Sequence, residues 1–494
     1  MKITTILCAA LAIGMTSTAQ EQVKFEDYFL PKTMRLDYYH AGDAKSEHFF
    51  LDEVIEEPYW AGNKRYLVDD RNVGNHRFEV KDKATGKVIY SRGFNTLFNE
   101  WQCTPEARIT SKAMPEGVVF PYPKNDVIVE FYTRENRTGK MHKKWSYEVD
   151  ADSYFVRRSR PTLSTMDIHY TGNPAQRVDV VIIPEGYTEA EKDKFVAAAN
   201  AFAKDILSYH PYTEYADKFN FRAVWAPSEE SGISIPGEHL WRSTTLDAHY
   251  YTFDSERYQM FEDYQRVLDI AANVPYEIIY VLTNSQKYGG GGIFNFYGIS
   301  AAHNPGFTGK IYIHEFGHLL MGLGDEYVGT TAYDDTMYDK RLEPWEPNLT
   351  TLVDFNRKAW ASMVEEGTPV PTPATEEYRD KVMTLYRKVC QLHEDVESIS
   401  VFGELCGGAY PHPDVQRIGR LTLIQKGVFY TPGHEFYGFD IYVFTKDGEY
   451  YLSVDETNAL FEAEGFFYAR SKGRRTSAAQ RFVPSKKTAE NDYL

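Results

Sequence analysis

Residues 178–186 read VDVVIIPEG, and this stretch decides the fold of the second half of the chain. Its first six residues form an apolar run, interrupted by Asp179, that is typical of a strand buried on both faces. Thr188 and Glu191 follow with the spacing of a helix capping box. Apolar residues then recur every three or four positions, as on a helix face that packs on a sheet: Phe195, Ala198, Ala199, Phe202 and Ile206.

The same alternation of strand and helix continues towards the C-terminus. Residues 219–225 and 276–282 have the apolar and β-branched character of strands, and residues 255–272 between them have a helical pattern. Strands that alternate with helices indicate an α/β or α+β domain. We expect this domain to span residues 176–470, followed by a polar C-terminal end over residues 471–494.

Towards the N-terminus the pattern changes to short alternating runs without long helical periodicity. These runs predict antiparallel strands at residues 77–81, 88–91, 127–133 and 145–149. They indicate a β-sandwich-like first domain over residues 20–165. Residues 160–176 are polar and contain Pro161, Gly172 and Pro174, a composition that suits a linker.

The charge balance and the N-terminus limit the function classes. The 494 residues contain 54 Lys and Arg against 71 Asp and Glu, a net charge of −17, which disfavours nucleic acid as a partner. Residues 1–19 have one lysine, an apolar run and small residues, the pattern of a secretory signal peptide. Since no other apolar run approaches the roughly 18 residues of a membrane span, we expect an exported protein without such a span, in the periplasm, at the cell surface or outside the cell.

Three cysteines remain after removal of the signal peptide, namely Cys103, Cys390 and Cys406. An odd number permits at most one internal disulfide. A Cys390–Cys406 pair and three buried thiols are both compatible with the sequence.

Residues 314–318 read HEFGH, and this segment carries the chemistry. On a helix, a spacing of four residues turns about 400° and places His314 and His318 on one face, where both imidazoles can bind one ion. Glu315 lies beside them and can act as a general base towards water. The motif predicts one catalytic zinc ion and a metal-assisted hydrolase, with two surface histidines on an amphipathic helix as the alternative.

A catalytic zinc site needs a third protein ligand. Asp325 follows the glycines of residues 322–324, which can end the helix and return the chain to the histidines, so we expect Asp325 to be that ligand. Glu326 and then Glu343 or Glu346 are the alternatives. Tyr327 is the nearest candidate in sequence for stabilising an oxyanion, but a packing role is the favoured interpretation of this residue.

Residues 288–297 read YGGGGIFNFY, directly before the histidine motif. No Gly-Lys-Ser/Thr follows, so a phosphate-binding loop is excluded. We interpret the glycines as a flexible loop leading into a strand whose free edge pairs with an extended peptide substrate. This hypothesis assigns substrate binding to Gly290, Gly291, Gly292, Ile293 and Phe294. A plain β-hairpin turn is the alternative.

The motifs together make the chain resemble the secreted bacterial metallopeptidases of the IgA peptidase family, metallopeptidase family 64. The HEFGH motif and its trailing Asp325-Glu326-Tyr327 are similar to the family's zinc motif, and the similarity extends from about residue 24 to about residue 440. Other similar segments are residues 227–232, 274–276 and 288–297, with residues 92–94 and 100–102 in the first domain. The resemblance implies a β-sandwich followed by a metzincin-like zinc peptidase domain, with zinc on His314, His318 and Asp325 and with Glu315 as the base.

One feature of metzincin-type sites is missing from the sequence. Such sites have a methionine turn beneath the zinc, but no methionine follows Met383, and residues 421–424 read LTLI. Our leading hypothesis is a secreted zinc endopeptidase acting on protein or peptide substrates. The alternative is a catalytically weak, peptidase-like protein that binds protein or glycan, and a zinc-dependent amidase or deacetylase is a third possibility.

Overall fold

The computed structural model describes residues 22–304, 308–325, 341–364 and 366–367, together with the backbone of seven strands between residues 409 and 482. The predicted signal peptide, Cys390, Cys406, Glu326 and Tyr327 lie outside the described residues. Within the described ranges, no helix combines the length and the apolar character needed to cross a bilayer. Cys103 is described, and it is exposed rather than buried as one interpretation of the cysteines required.

The first domain contains two four-stranded sheets around one apolar core. Its helices are α1 (Phe25–Tyr28) and α2 (Leu97–Gln102). Its strands are β1 (Phe29–Gly42), β2 (Glu47–Glu57), β3 (His76–Asp82), β4 (Val88–Phe94), β5 (Lys112–Pro123), β6 (Val127–Arg134), β7 (Met141–Val149) and β8 (Arg157–Arg158). The sheets have the orders β5-β1-β2-β8 and β4-β3-β6-β7. Leu36 and Tyr38 of one sheet share a core with Phe78 and Phe131 of the other, as the predicted β-sandwich requires.

The second domain is built on one six-stranded mixed sheet. Its strands are β9 (Ser164–His169), β10 (Val178–Glu185), β11 (Phe219–Trp225), β12 (Ile278–Thr283), β13 (Gly290–Gly292) and β14 (Gly298–Ala301). Its helices are α3 (Lys192–Ile206), α4 (Tyr264–Ala271) and α5 (Thr308–Met321). The sheet order is β13-β14-β12-β10-β11-β9, with the four central strands parallel and both edge strands antiparallel to them.

The central strand β10 explains why the apolar run was decisive. Every residue from Asp179 to Glu185 is buried, and the two faces of the strand belong to different cores. Val180 and Ile182 pack with α3 and α5 on one face. Val181 and Ile183 pack with α4 and with α2 of the first domain on the other face. The first domain therefore packs against one face of the six-stranded sheet.

Two local predictions differ from the structure. The predicted linker contains β9, which pairs antiparallel with β11; Met166 and Ile168 pack against the core, but the polar residues between them hid this short alternation. The helix predicted over residues 255–272 is only Tyr264–Ala271, because Asp263 caps it by accepting a hydrogen bond from the backbone N–H of Arg266 at 3.0 Å. The capping box of Thr188 and Glu191 is confirmed.

The C-terminal part contains a further antiparallel sheet. Its strands are β15 (Ala409–Tyr410), β16 (Arg417–Ile418), β17 (Leu421–Tyr430), β18 (Gly438–Lys446), β19 (Glu449–Val454), β20 (Tyr468–Arg470) and β21 (Gln480–Phe482). The order is β15-β17-β18-β19-β21-β20, and β16 pairs with β17. The predicted polar end thus includes one strand, β21.

Candidate metal centre

The histidine motif lies on α5, as the spacing predicted. Tyr312, Phe316 and Leu319 anchor the helix in the core beneath the sheet. The helix ends at Met321, and Gly322 adopts a left-handed conformation with φ of +65°. The N–H of Leu323 donates to the Gly317 carbonyl at 3.3 Å, so the chain reverses over the last turn and returns towards the histidines.

Three donor atoms converge where the motif predicted a metal. The Nε2 atoms of His314 and His318 are 3.2 Å apart. Asp325 Oδ1 lies 3.3 Å from His314 Nε2 and 3.1 Å from His318 Nε2. Tetrahedral ligands of zinc at about 2.0–2.1 Å are separated by about 3.3–3.4 Å. The separations therefore fit three ligands of one ion, and the side chains of the two histidines are 21% and 18% exposed, which leaves an approach from solvent.

The ring of His318 is oriented by a backbone carbonyl. Its Nδ1 is 2.5 Å from the Leu323 carbonyl oxygen, which can only accept a hydrogen bond. Nδ1 therefore carries a proton, and Nε2 is the nitrogen that gives up its proton and offers a lone pair when a metal ion binds. The glycine reversal thus supplies both the third carboxylate and the atom that fixes the tautomer of His318.

Asp325 is held in place by a residue that the sequence did not indicate. The side-chain amide of Asn348 accepts from the N–H of Gly324 and donates to the Gly324 carbonyl, both at 2.8 Å. A Cβ atom at Gly324 would lie 2.4 Å from Leu349 Cδ1, so the glycine lets Leu349 pack closely against this backbone. The segment around Asn348 therefore clamps the backbone directly before Asp325.

The electrostatics of the cluster suit a cation. Burial by itself would raise the pKa of Asp325, but hydrogen bonds and charges from His314 and His318 hold it well below its usual range. Burial would lower the pKa of His318, but Asp325 and Glu315 raise it to about 9. Burial raises the pKa of Glu315, although His314 and His318 oppose the shift, and this makes Glu315 a stronger base than an exposed glutamate.

The alternative third ligands are not supported among the described residues. The Glu343 carboxylate accepts hydrogen bonds from Thr350 at 3.2 Å and from the backbone N–H of Asp354 at 2.9 Å. These bonds stabilise the loop between residues 343 and 354. Glu346 is buried, and its Cγ would be 3.2 Å from a Cβ atom at Gly324. Asp325 is the carboxylate that contacts both histidines.

The glycines predicted as a flexible loop form the edge strand β13. A Cβ atom at Gly290 would lie 3.0 Å from Glu315 Oε1, and one at Gly292 would lie 2.4 Å from the Glu315 carbonyl oxygen. The glycines therefore allow the strand to lie directly against α5, the helix that carries the histidine motif. This close approach depends on tertiary packing and is not evident from the sequence.

The proposed free edge of β13 is already occupied at one end. The N–H of Gly290 donates to the Arg257 carbonyl at 3.1 Å, and the N–H of Gln259 donates to the Gly290 carbonyl at 3.4 Å. Only the part of the edge beyond Gly290 is compatible with pairing to a peptide.

The structure places Ile293 and Phe294, predicted as part of the substrate-binding edge, in the core. Their side chains are 1% and 5% exposed, and Phe294 packs on Trp345 with ring centroids 5.7 Å apart. The N–H of Ile293 donates to the Tyr297 carbonyl, and the Phe294 carbonyl accepts from the N–H of Asn95, both at 2.9 Å. Their position next to the glycines suggested an edge that binds substrate, but these two apolar residues anchor the end of β13 in the core.

The motif differs in spacing from the metzincin signature. In that signature a glycine and the third ligand follow the second histidine by three and six residues. Here Gly322 and Asp325 follow His318 by four and seven residues. The additional residue completes the last helical turn before the reversal at Gly322.

Comparisons with known families agree with this geometry. The family model described as IgA Peptidase M64 matches residues 166–398, and the model of the peptidase M64 N-terminus matches residues 24–146. A model described as RNA ligase matches residues 355–490, which overlap the end of the peptidase match and lie mostly outside the described residues. No curated protein matches the chain. The two M64 models cover both domains around the metal cluster, and the chain belongs to the IgA peptidase M64 family.

Proposed function

We propose that the protein is an exported, zinc-dependent endopeptidase with a metzincin-like catalytic domain. The observation that carries the proposal is the convergence of His314, His318 and Asp325 at donor separations of 3.1–3.3 Å beside Glu315. Two imidazoles and one carboxylate are a donor set that suits catalytic zinc and leaves a position for water or substrate. Membership of the peptidase family supports the reaction class.

The residues divide the chemistry between binding and proton transfer. A zinc ion bound by the three ligands would supply Lewis acidity towards a peptide carbonyl and towards water. Glu315 is next to His314 but is not needed as a ligand, so its carboxylate can accept a proton from the attacking water and then donate it to the leaving nitrogen. Burial raises the pKa of Glu315, which makes its carboxylate a stronger base towards that water.

The substrate we propose is a protein or peptide in extended conformation. The edge strand β13 lies against Glu315, and its edge beyond Gly290 can pair with such a chain. The residues that bond to β14 alternate with those that face the outer edge, and Gly290 already bonds to Arg257 and Gln259. The proposed substrate contacts are therefore the outward-facing backbone groups of Gly292.

The test is digestion of a proteome-derived peptide library by the zinc-loaded protein and by a Glu315→Gln variant. We expect the native protein to cleave peptide bonds and the variant to be slower by about 10²–10⁴, the usual contribution of a general base. The variant should retain one zinc ion, because Glu315 is not a ligand. Glu262→Gln, an exposed residue of the same domain, should cleave like the native protein.

Two results would contradict the proposal. If folded, zinc-loaded native protein cleaves no peptide, the alternative of a peptidase-like binding protein is favoured. If Glu315→Gln loses its zinc, then Glu315 is a ligand and the roles assigned here are wrong.

Export is tested separately. We expect N-terminal sequencing of protein recovered outside the cytoplasm to begin at residue 20, after the small residues that end the apolar run. Recovery of the intact N-terminus from the cytoplasm would reject the proposed localisation.

A further inference from the structure

The first domain reaches the metal centre through α2. Thr96 caps this short helix by accepting a hydrogen bond from the N–H of Asn99 at 3.3 Å. Leu97, Phe98 and Trp101 are buried in the core that the first domain shares with the catalytic sheet. The helix is thereby fixed to the sheet, and its remaining face presents Glu100 towards the catalytic domain.

Hydrogen bonds attach the chain before α2 to the turn that follows β13. The N–H of Asn95 donates to the Phe294 carbonyl at 2.9 Å. The Asn295 side chain donates to the Gly93 carbonyl at 2.7 Å and accepts from Arg92 at 2.9 Å. These hydrogen bonds hold two segments from different domains in a fixed position relative to each other. The two segments are about 200 residues apart in the sequence.

Glu100 makes one further contact across this interface. Its carboxylate accepts a hydrogen bond from the Tyr258 hydroxyl. Tyr258 lies in the segment that occupies the outer edge of β13, where Gly290 bonds to Arg257 and Gln259. A Cβ atom at Gly291 would lie 2.2 Å from Met260 Cε and 2.7 Å from the Tyr258 ring, so these two side chains together cover one face of the glycine strand.

The opposite face of the strand lies on the metal helix. Cβ atoms at Gly290 and Gly292 would come within 3.0 Å of Glu315 atoms, whereas the Cβ direction of Gly291 meets Tyr258. The alternation of a strand thus places the metal helix on one side and Tyr258 on the other. Since glycines contribute no side chains, the position of β13 depends on what holds these two faces.

We propose that Glu100 of the first domain is a positioning residue for peptide hydrolysis, which fixes β13 against the metal helix by holding the Tyr258 hydroxyl. The inference rests on the proposed endopeptidase function, because β13 is the strand that would align the peptide with Glu315. We call these two residues the Glu100–Tyr258 pair. It makes the first domain part of the catalytic unit.

The electrostatics of Glu100 are consistent with a buried position close to the metal cluster. Burial raises its pKa to about 7, and the hydrogen bond from Tyr258 opposes the shift. His318, Asp325 and Glu315 all interact electrostatically with Glu100, so its carboxylate lies in the field of the metal cluster.

The test compares four variants with the native protein: Glu100→Ala, Glu100→Gln, Tyr258→Phe and the double variant Glu100→Ala/Tyr258→Phe. We expect Glu100→Ala and Tyr258→Phe each to lower kcat by about ten- to a hundredfold through misplacement of the strand, with KM changed less than about threefold. The double variant should be no slower than the worse single variant. Glu100→Gln should stay within about threefold of native activity, because its amide oxygen still accepts from Tyr258.

The matched control is Glu106→Ala. Glu106 also accepts a hydrogen bond from an aromatic side chain of this region, Trp101 Nε1 at 2.8 Å, but it does not touch β13. Its activity should be native, and all variants should retain one zinc ion.

Hydrogen exchange provides a readout that does not need activity. The amides of Gly290 and Gln259 should exchange faster in Glu100→Ala and Tyr258→Phe than in the native protein and in Glu100→Gln.

If the native protein cleaves and both single variants match it, the positioning role is wrong while the proposed function stands. Multiplicative losses in the double variant, or equal losses in Glu100→Gln and Glu100→Ala, would also overturn it. If zinc-loaded native protein does not cleave, the proposed function fails, and unchanged exchange would then reject the positioning role independently.

Discussion

Two clusters of histidines and carboxylates, one in each domain, have similar spacing but different surroundings. In the catalytic domain the three donor atoms of His314, His318 and Asp325 are 3.1–3.3 Å apart. In the first domain Glu47 Oε1 lies 3.0 Å from His40 Nε2 and 3.7 Å from His76 Nδ1. Donor distance by itself therefore does not separate a metal site from a structural cluster.

The partners of the imidazoles separate the two clusters. Both nitrogens of His40 contact carboxylates, Glu47 and Glu116, each at 3.0 Å, and its side chain is fully buried between Phe49 and Phe98. Burial by itself would lower the pKa of His40, but the two carboxylates raise it to about 9. His40 is thus an imidazolium that already neutralises its neighbours. In the catalytic cluster the pKa of His318 is also raised to about 9, but the Nε2 atoms of His314 and His318 face a common point that solvent can reach.

The largest effect that would sharpen this comparison is expected for Asp325→Asn. Loss of the charged ligand should weaken zinc binding by at least about a hundredfold, since removal of even an outer partner costs about 10–100-fold. Activity at limiting zinc should fall with it. Metal affinity is measured by titration against a chelator of known strength, with Asp193→Asn on the exposed side of α3 as the control. Unchanged affinity would mean that another residue is the third ligand.

The next effect concerns stability and is expected for His40→Ala. Removing the imidazolium leaves Glu47 and Glu116 buried without their shared partner, so unfolding should become easier by about 3–5 kcal/mol. Zinc content should stay at one ion per chain. The control is His142→Ala in the same domain, whose imidazole is 55% exposed and lies 3.5 Å from Glu135; its effect should be below about 0.5 kcal/mol. A fall from two bound ions to one in His40→Ala would show that the first-domain cluster is also a metal site.

The smallest effect is the pH dependence of the stabilisation that His40 contributes to the folded protein. The pKa of His40 is about 9 in the folded protein, against an ordinary value of 6.5, so its stabilisation is fully present below pH 6.5 and is lost as pH rises through 9. The difference in unfolding free energy between native protein and His40→Ala should therefore shrink by about 3 kcal/mol between roughly pH 6 and pH 10. Chemical denaturation at both pH values measures it. A difference that does not change with pH would mean that His40 is neutral in the folded state.

Local patterns predicted much of the fold because they depend on near neighbours. The capping box at Thr188, the buried strand β10 and the alternating strands of the first domain are each determined by residues within one element. One error occurred where packing overrode composition, and the other arose from a local cap that the pattern did not indicate. β9 formed inside a polar stretch because β11 offered an edge, and the helix before β12 was shortened by the cap at Asp263.

The sequence by itself determined the chemistry of the catalytic cluster. Two histidines at helical spacing with a glutamate between them predict a metal and a base, because the geometry of one helix fixes their relative positions. It also indicated the carboxylate at Asp325, since a glycine reversal acts over only a few residues.

Only the tertiary structure decided what surrounds that cluster. Asn348 clamps the backbone before Asp325, and Glu100 reaches Tyr258 from the other domain. The structure also buried Ile293 and Phe294, which the sequence suggested as substrate contacts. Contacts between residues far apart in the chain depend on how whole elements pack, and no periodicity or local spacing encodes them.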